Sequence, residues 1–299
     1  MRVFVTGATG FIGSAVVREL LDAGHQVVGL ARSDKSAAAI SAAGAEVHRG
    51  DLDNFDSLRN GVSAADGVIH LAFNNISATT SFVDAVEADR RAIETMGEAL
   101  AGSNRPFVIT SGTALLTPGR LVTEEDATDS ASPAALRIPS EEAALSFATR
   151  GVRVSLVRLP LSVHGNGDNG FVPALISIAR DKGVSVYPGD GSNRWPAVHR
   201  LDAASLFRLA MESAPAGARL HGVGDEGVSF HDIAQVIGRR LNLPVSSISN
   251  EEADDHFNWL APMVKVDHAA SSTQTKKQLG WNPVQPGLIE DIEQHYFTN

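Results

Sequence analysis

The sequence predicts an α/β fold in which a doubly wound parallel sheet carries a smaller C-terminal lobe. Short apolar runs alternate with amphipathic segments over the first half of the chain, and this alternation breaks down after the turn-forming residues 165–170. Parallel strands need helical crossovers, and a strand covered on both faces is apolar throughout. We therefore predict a sheet domain over residues 1–165 and a mostly helical lobe over residues 166–299, some elements of which return to the sheet domain.

Apolar runs bounded by turn residues mark the strands, and apolar residues three and four apart mark the helices. The predicted strands of the first half cover residues 3–5, 26–30, 45–48, 66–72, 106–110 and 152–159. The predicted helices cover residues 10–24, 33–42, 54–61 with Asn54 as cap, and 79–102, with further helix starts at 132–133 and 139–142 and a helix end at Gly151. In the lobe we predict helices over 171–182, 202–212, 230–241 and 288–296 and strands over 184–187 and 219–223.

The composition excludes several classes of function. Lys and Arg number 25 against 35 for Asp and Glu, and the net charge of −10 repels phosphate backbones and anionic lipid head groups. We therefore expect neither a nucleic-acid nor a membrane partner. The chain has no cysteine, which excludes disulfides, thiolate zinc sites and cysteine nucleophiles, and we predict no metal. With a strand starting at residue 3 and no long apolar run, we expect a cytoplasmic protein. Its expected partner is a small-molecule substrate, and the sequence is compatible with a homodimer.

The strongest motif lies between the first predicted strand and the first predicted helix, where three glycines are spaced three residues apart. Gly7 allows a tight turn, Gly10 lets the backbone approach a pyrophosphate, and Gly13 lets the helix pack closely on the strand. The free N–H groups and the positive dipole end of the helix then bind the pyrophosphate. The motif predicts a Rossmann-type dinucleotide-binding domain, with these cofactor-binding residues: Gly7, Thr9, Gly10, Phe11, Ile12 and Gly13.

The end of the second predicted strand decides between the two nicotinamide cofactors. An acid there favours NAD by binding the ribose 2′-hydroxyl, whereas a cation accommodates the 2′-phosphate of NADP. The chain has Arg32, Ser33 and Lys35 at this place and no acid at the strand end. We predict NADP, with NAD as the alternative; the other interpretation of Arg32 and Lys35 is that they are ordinary surface charges.

The glycine spacing and six further stretches, in order along the chain, resemble the extended and atypical short-chain dehydrogenase/reductases. These stretches are Gly50-Asp51-Leu52, His70-Leu71-Ala72, Thr110-Ser111-Gly112-Thr113, Arg158-Leu159-Pro160 with Val163-His164-Gly165, Val198-His199-Arg200-Leu201-Asp202 and Leu279-Gly280-Trp281-Asn282-Pro283. The resemblance implies cofactor contacts from Asp51, Leu52, Leu71, Ala72 and Pro160, and it makes Thr113 the catalytic hydroxyl.

The chain departs from this family at the catalytic pair, a tyrosine four residues before a lysine. Matching residues 139–141 to the family segment places Arg137 at the tyrosine position and Glu141 at the lysine position. Arg137 can stabilise a developing oxyanion, and Glu141 can donate a proton if burial raises its pKa. The alternative is that the two form an i, i+4 ion pair at a helix start, worth about 0.3–0.5 kcal/mol.

Other proton sources stay open at this point. They are His164, His199 and a water positioned by Thr113, although a lone histidine is more often structural. The family's substrate-phosphate arginine falls on Trp195, with Arg194 one residue away, which argues against a nucleotide-sugar substrate. We interpret Trp195 and Phe171 as lobe packing.

Three functions are therefore compatible with the sequence. The first is an atypical NADPH-dependent reductase of a small, mostly uncharged carbonyl, imine or activated alkene. The second is a non-catalytic NADP-binding redox sensor or scaffold. The third is a sugar or steroid epimerase/dehydratase-like activity. The hydroxyl of Thr113 and the full substrate lobe favour an enzyme.

Overall fold

The computed structural model describes residues 1–74 and 81–297, and its largest unit is a seven-stranded sheet in which all neighbouring strands are parallel. The strands in spatial order are β3 (Glu46–Arg49), β2 (Gln26–Ala31), β1 (Arg2–Thr6), β4 (Gly67–His70), β5 (Pro106–Gly112), β7 (Arg153–Leu159) and β11 (Ala218–His221). The order reverses between β1 and β4, and ligands bind at such a reversal in open α/β sheets.

Helices cover both faces of this sheet, as the predicted doubly wound fold requires. One face packs on α1 (Phe11–Asp22), α2 (Asp34–Ala42) and α7 (Arg200–Ser213). The other face packs on α3 (Phe55–Ser63), α4 (Phe82–Leu100) and α5 (Ile138–Ser146). Because both faces are covered, the central strands are almost wholly buried and apolar.

The smaller lobe has its own core around the fully buried Trp195. Its strands are β8 (Ser162–His164), β9 (Ser185–Pro188), β10 (Arg194–His199), β12 (Asp225–Ser229) and β13 (Val245–Ile248). Its helices are α6 (Phe171–Lys182), α8 (Phe230–Leu241), α9 (Asn250–Phe257), α10 (Ala261–Val264) and α12 (Leu288–His295). Short pieces complete the chain, namely β6 (Leu121–Val122), β14 (Ala269–Ala270) and α11 (Thr273–Leu279).

Several local predictions are reproduced by the structure. Asn54 caps α3 by accepting from the Ser57 N–H, and Gly151 adopts the left-handed conformation after the turn that follows α5. After residue 166 the chain returns to the large sheet, because β11 pairs with β7 and α7 packs beside α1. None of the helices in residues 1–74 and 81–297 is long and apolar enough to span a bilayer.

Three element boundaries differ from the prediction. The strand predicted to reach residue 72 ends at His70. The Leu71 N–H still reaches the Thr6 carbonyl of β1 at 3.3 Å, but the N–H groups of Leu71 and Ala72 both donate to the Thr6 side chain, which ends the ladder. The helix start at residues 132–133 is a turn followed by a 3-10 turn at Ala135–Arg137. Helix α4 begins at Phe82 with Ser81 as its cap, and the predicted start at Thr79 lies outside the described residues.

Candidate active site and cofactor cradle

The glycine motif forms a cradle at the carboxyl end of β1, and each glycine is required by different neighbours. Gly7 has φ +69°, and a Cβ there would lie 2.7 Å from the Ala72 nitrogen. A Cβ on Gly13 would lie 1.9 Å from the Gly7 carbonyl oxygen, so any side chain would push α1 away from β1. A Cβ on Gly10 would meet only the Gly7 oxygen, at 3.2 Å, and would otherwise project into open space.

The first turn of α1 is open for an anion. Gly10 is its N-cap and provides no capping side chain, and the first turn carries no acidic residue. The first intrahelical bond runs from the Ser14 N–H to the Gly10 carbonyl, so the N–H groups of Phe11, Ile12 and Gly13 precede the helical ladder. This geometry fits a pyrophosphate, which the N–H groups and the helix dipole would hold.

The residues predicted to select the cofactor lie together at the ends of β2 and β3. Arg32 and Lys35 are exposed, and neither has an ion-pair or hydrogen-bond partner within residues 1–74 and 81–297. Ser33 caps α2 by accepting from the Ser36 N–H. The neighbouring acid, Asp34, is 2.7 Å from Arg49, so its charge is already paired.

The predicted adenine-contacting turn lies beside this pair of strand ends. The Gly50 N–H donates to the carbonyl of Ala31, which joins the turn to the end of β2. The Asp51 carboxylate accepts from the N–H groups of Asp53 and Asn54, and Leu52 is buried in the core. Asp51 and Leu52 thus shape the turn whatever their contact with a cofactor.

A buried hydrogen-bond chain joins β1, β4 and α4 directly behind the cradle. The Thr6 hydroxyl oxygen accepts from the N–H groups of Leu71 and Ala72, both at 3.2 Å, and lies 2.7 Å from His70 Nδ1. Because two donors occupy its lone pairs, Thr6 donates its own proton to Nδ1. His70 therefore carries its proton on Nε2, which donates to the Asp89 carboxylate over 3.1 Å.

Asp89 connects this chain to Arg137. Its Oδ2 atom lies 3.8 Å from Arg137 Nη2. Burial works to raise the pKa of Asp89, but the hydrogen bond from His70 and the charge of Arg137 outweigh it and lower the pKa. Asp89 is therefore an ionised, buried carboxylate behind the guanidinium.

Arg137 lies over the segment that follows β4. Its guanidinium is 4.8 Å from the centroid of the Phe73 ring and donates to the Thr110 carbonyl at 3.3 Å. Its Nε atom is buried and has no hydrogen-bond partner in the described part of the chain, while 23% of the side chain is exposed. The arginine is thus held in place and retains an unused donor.

The predicted catalytic hydroxyl lies at the end of the neighbouring strand. Thr113 directly follows β5, is 1% exposed, and its Oγ1 atom has no partner in the described structure. A buried polar group without a partner costs about 1–3 kcal/mol, so such a group at a strand end indicates a site for a ligand or a water. Pro160, at the end of β7, is buried beside this strand end.

Glu141 does not take the role predicted for it, and neither does it pair with Arg137. It is 3% exposed and accepts from Arg158 Nε at 3.0 Å, Arg158 Nη2 at 2.8 Å and the Ser111 hydroxyl at 2.5 Å. All these donors come from β5 and β7, which lie under α5. Both interpretations from sequence, a proton donor and an i, i+4 ion pair, are therefore replaced by a buried structural carboxylate.

The two candidate histidines contact each other and have partners of their own. His164 Nδ1 is 2.7 Å from Asp291 in α12, and its ring stacks edge-on against His199 with centroids 5.4 Å apart. His199 caps α7 by accepting from the Leu201 N–H, and burial together with the charge of His164 lowers its pKa. Both histidines therefore have structural contacts, which is the role that the sequence favoured for a lone histidine.

Comparison with known proteins places this geometry in a family. The model of the NAD dependent epimerase/dehydratase family matches residues 3–221. The chain belongs to that family. An uncharacterized protein of Saccharomyces cerevisiae is 49% identical over 301 residues, covering 100% of both chains, and one of Schizosaccharomyces pombe is 48% identical, covering 98% of both.

The chain is also similar, at lower identity, to proteins with a named activity or bound ligand. A 4-hydroxy-2-methyl-3-oxo-4-farnesyl-3,4-dihydroquinoline-1-oxide ketoreductase of Stigmatella aurantiaca is 28% identical over 73% of this chain and 66% of its own. The structure of MoeE5 in complex with UDP-glucuronic acid and NAD matches with TM-score 0.77 at 23% identity, covering 99% of this chain and 97% of that one. A dTDP-glucose 4,6-dehydratase from Streptomyces venezuelae, solved with NAD and TYD bound, matches with TM-score 0.77 at 20% identity over 98% and 95%.

Membership of the epimerase/dehydratase family and the cradle geometry agree on a nicotinamide cofactor. The chain has an NAD(P)-binding Rossmann-type fold of the extended short-chain dehydrogenase/reductase kind. The residues fit the cofactor, because the Gly10 position is open and the first turn of α1 is uncapped. The positions that the sequence resemblance matches to the family's tyrosine-lysine pair hold Arg137 and Glu141.

Two residues of this epimerase/dehydratase-type site were missed at the sequence level. His70 is in a stretch used for the resemblance but had no assigned role, and Asp89 had none either. A signal for Asp89 exists, because it lies on the apolar stripe of α4 between Val86 and Ile93. A carboxylate on such a stripe needs a buried partner, and only the fold supplies one.

Proposed function

We propose that the protein is an NADPH-dependent reductase of a small, uncharged carbonyl, imine or activated alkene. The observation that carries this proposal is the pair of buried, unpartnered polar atoms at the carboxyl end of β5, Thr113 Oγ1 and Arg137 Nε, within the described residues. Arg137 is linked to the cradle by the chain from Thr6 to Asp89, and Thr113 follows β5, a strand of the same sheet. A substrate carbonyl oxygen supplies an acceptor for Arg137, and a water beside it supplies one for Thr113.

NADPH held in the cradle would supply a hydride equivalent for the reduction of the substrate. The guanidinium of Arg137 stabilises the negative charge that develops on the carbonyl oxygen, since a planar donor fixed before the reaction needs no reorganisation. Arginine stays protonated at neutral pH, so it does not release the proton. A water held by the Thr113 hydroxyl gives a proton to that oxygen, which makes the product an alcohol, and the hydroxide left behind takes a proton from solvent.

The charge of the site supports an uncharged substrate. The guanidinium of Arg137 is already balanced by the ionised carboxylate of Asp89, 3.8 Å away. Arg194, next to the position of the family's phosphate-binding arginine, is held by Asp267 through two contacts of 2.8 Å. Because both arginines already have carboxylate partners, the phosphates of a nucleotide sugar would gain little binding free energy here. The ketoreductase among the relatives is consistent with this chemistry.

The test is oxidation of NADPH, followed by absorbance, against a panel of ketones, aldehydes, imines and enones. The wild-type protein is compared with Arg137→Met and Thr113→Val, and with Arg219→Ala as a control. Arg219 is exposed on β11, at the far edge of the sheet, so its loss should change nothing. We expect kcat and kcat/KM to fall together by about 10²-fold in Arg137→Met, as for loss of an oxyanion-hole donor.

A redox sensor is the second candidate, favoured by the use of Glu141 in a structural ion pair where the family has its lysine. The same panel separates the two. Turnover that depends on Arg137 supports the reductase. Tight NADPH binding without turnover of any compound supports the sensor, and it removes the catalytic roles of Thr113 and Arg137.

A further inference from the structure

The first residue of α7, Arg200, lies beside the cradle although it belongs to a part of the chain about 190 residues further on. Its Nη1 atom contacts the Phe11 carbonyl oxygen at 3.4 Å, and its guanidinium lies 5.1 Å from the centroid of the Phe11 ring. Phe11 is the first residue of α1, so the arginine stands at the turn that would hold a pyrophosphate. Planar stacking on an aromatic ring fixes the guanidinium and leaves its edge donors available.

The loop after β8 confines this arginine from the other side. A Cβ on Gly165 would lie 3.2 Å from Arg200 Cγ, and a Cβ on Gly167 would lie 4.0 Å from Nη1. Both glycines have left-handed φ values, +130° and +85°, which other residues adopt at a cost. The loop therefore packs along the arginine without placing a side chain over the guanidinium.

The groups around Arg200 do not balance its positive charge, so a bound anion would be favourable there. It occupies the first turn of α7 and stands beside the first turn of α1, and both helix starts carry partial positive charge. Within residues 1–74 and 81–297 no carboxylate lies within ion-pair distance of it. Asp202, the acid in the same turn, uses its two oxygens for the N–H groups of Val284 and Gln285.

We infer that Arg200 is an anion-binding residue of the cofactor site, which contacts the pyrophosphate of the nicotinamide dinucleotide from the first turn of α7. This inference rests on the proposed cofactor binding and deepens it, because it adds a contact common to NAD(H) and NADP(H). This contact differs from the one proposed for Arg32, which is to the ribose 2′-phosphate that NADP(H) carries and NAD(H) lacks. Arg200 thus contributes to the affinity for both cofactors, whereas Arg32 contributes to the preference for NADP(H).

The test compares the affinities of NADPH and NADH, measured by calorimetry, for the wild type, Arg200→Met, Arg32→Ala and the Arg219→Met control. We expect Arg200→Met to weaken both cofactors by the same factor, about 10- to 100-fold for a lost charge-assisted contact. Arg32→Ala should weaken NADPH alone, and Arg219→Met neither. Arg200→Lys, which keeps the charge but not the planar fork, should fall between the wild type and Arg200→Met.

Each other outcome overturns the inference in a distinguishable way. Unchanged affinities in Arg200→Met, with a wild type that binds, overturn the role of Arg200 and leave the cofactor proposal intact. A loss confined to NADPH assigns Arg200 to the 2′-phosphate and overturns the pyrophosphate contact. A wild type with no affinity for either cofactor removes both proposals. Thermal unfolding of each variant shows whether a loss of affinity comes from a folded protein.

Discussion

His70 donates through Nε2 to the carboxylate of Asp89 over 3.1 Å, in a place where both side chains are almost fully buried. The proton is fixed on Nε2 because the Thr6 hydroxyl, with both lone pairs occupied, must donate to Nδ1. The second oxygen of Asp89 is thereby left to face Arg137. The hydrogen bonds from Thr6 to Asp89 thus place a buried carboxylate 3.8 Å from the guanidinium of Arg137.

Removing the charge of Asp89 should change how the free energy of unfolding depends on pH. We expect Asp89→Asn to lower the free energy of unfolding by about 1–3 kcal/mol near pH 7, the cost of losing a charge-assisted bond in the interior. The pKa of Asp89 in the folded protein is below its ordinary value of 3.8, since its hydrogen bond to His70 and the charge of Arg137 outweigh burial. The stabilisation is therefore fully present above that ordinary value and is lost as the pH falls through the lower folded value.

The measurement is the unfolding midpoint of the wild type and of Asp89→Asn between pH 7 and pH 3. The difference in unfolding midpoint between the two proteins should narrow as the pH falls below about 4, where the carboxyl group of the unfolded chain becomes protonated. A gap that stays constant over this range would contradict an ionised Asp89. Other carboxylates shift both proteins alike, so only the difference is diagnostic.

Gly10→Val should abolish cofactor binding and leave the fold intact. The backbone at Gly10 has φ −72° and ψ 172°, an extended conformation that valine adopts readily. Its side chain would enter open space in front of α1, which a pyrophosphate needs. Calorimetry with NADPH and a thermal melt test the two halves of this expectation.

Gly13→Val is the matched comparison for this cradle variant. Its side chain would collide with the Gly7 backbone, so we expect a loss of folded protein as well as of binding. If folded Gly10→Val retained the wild-type affinity for NADPH, the cradle would not be the binding site.

Glu141→Gln should destabilise the protein without a specific effect on the cofactor. Removing one partner of a buried ion pair leaves Arg158 charged and uncompensated, which typically costs about 3–5 kcal/mol. Denaturant unfolding measures this loss. Glu142→Gln is the control, because the next residue on the same helix is exposed. Were Glu141→Gln as stable as the control but inactive, the catalytic role of Glu141 would return.

Arg32→Ala should remove the preference for NADPH over NADH. A charge-assisted contact with the 2′-phosphate is worth about 1.5–3 kcal/mol, or roughly 10- to 100-fold in affinity. Arg32 is exposed at the end of β2, and the acid beside it is paired with Arg49. Calorimetric affinities of the two cofactors measure the effect. Equal affinities in the wild type, or an unchanged preference in Arg32→Ala, would refute the prediction.

Sequence alone determined the elements whose cause is local. The glycines of the cradle follow from sterics within a few residues, and the doubly wound sheet follows from apolar strands alternating with amphipathic helices. The cap at Asn54 and the helix end at Gly151 are equally local. For the same reason the spacing of the glycines is enough to predict the cradle from Gly7 to Gly13.

Only the tertiary structure decided the partners of the buried charges. Residues 137 and 141 are one helical turn apart, so spacing alone pairs Arg137 with Glu141. In the fold, Glu141 points into the interior and takes Arg158 from β7, while Arg137 is placed by Asp89 on α4. A buried charge binds whichever opposite charge shares its dry surroundings, because removal from water is costly unless it is compensated. That partner is set by how the elements pack, which the spacing of residues along one helix does not contain.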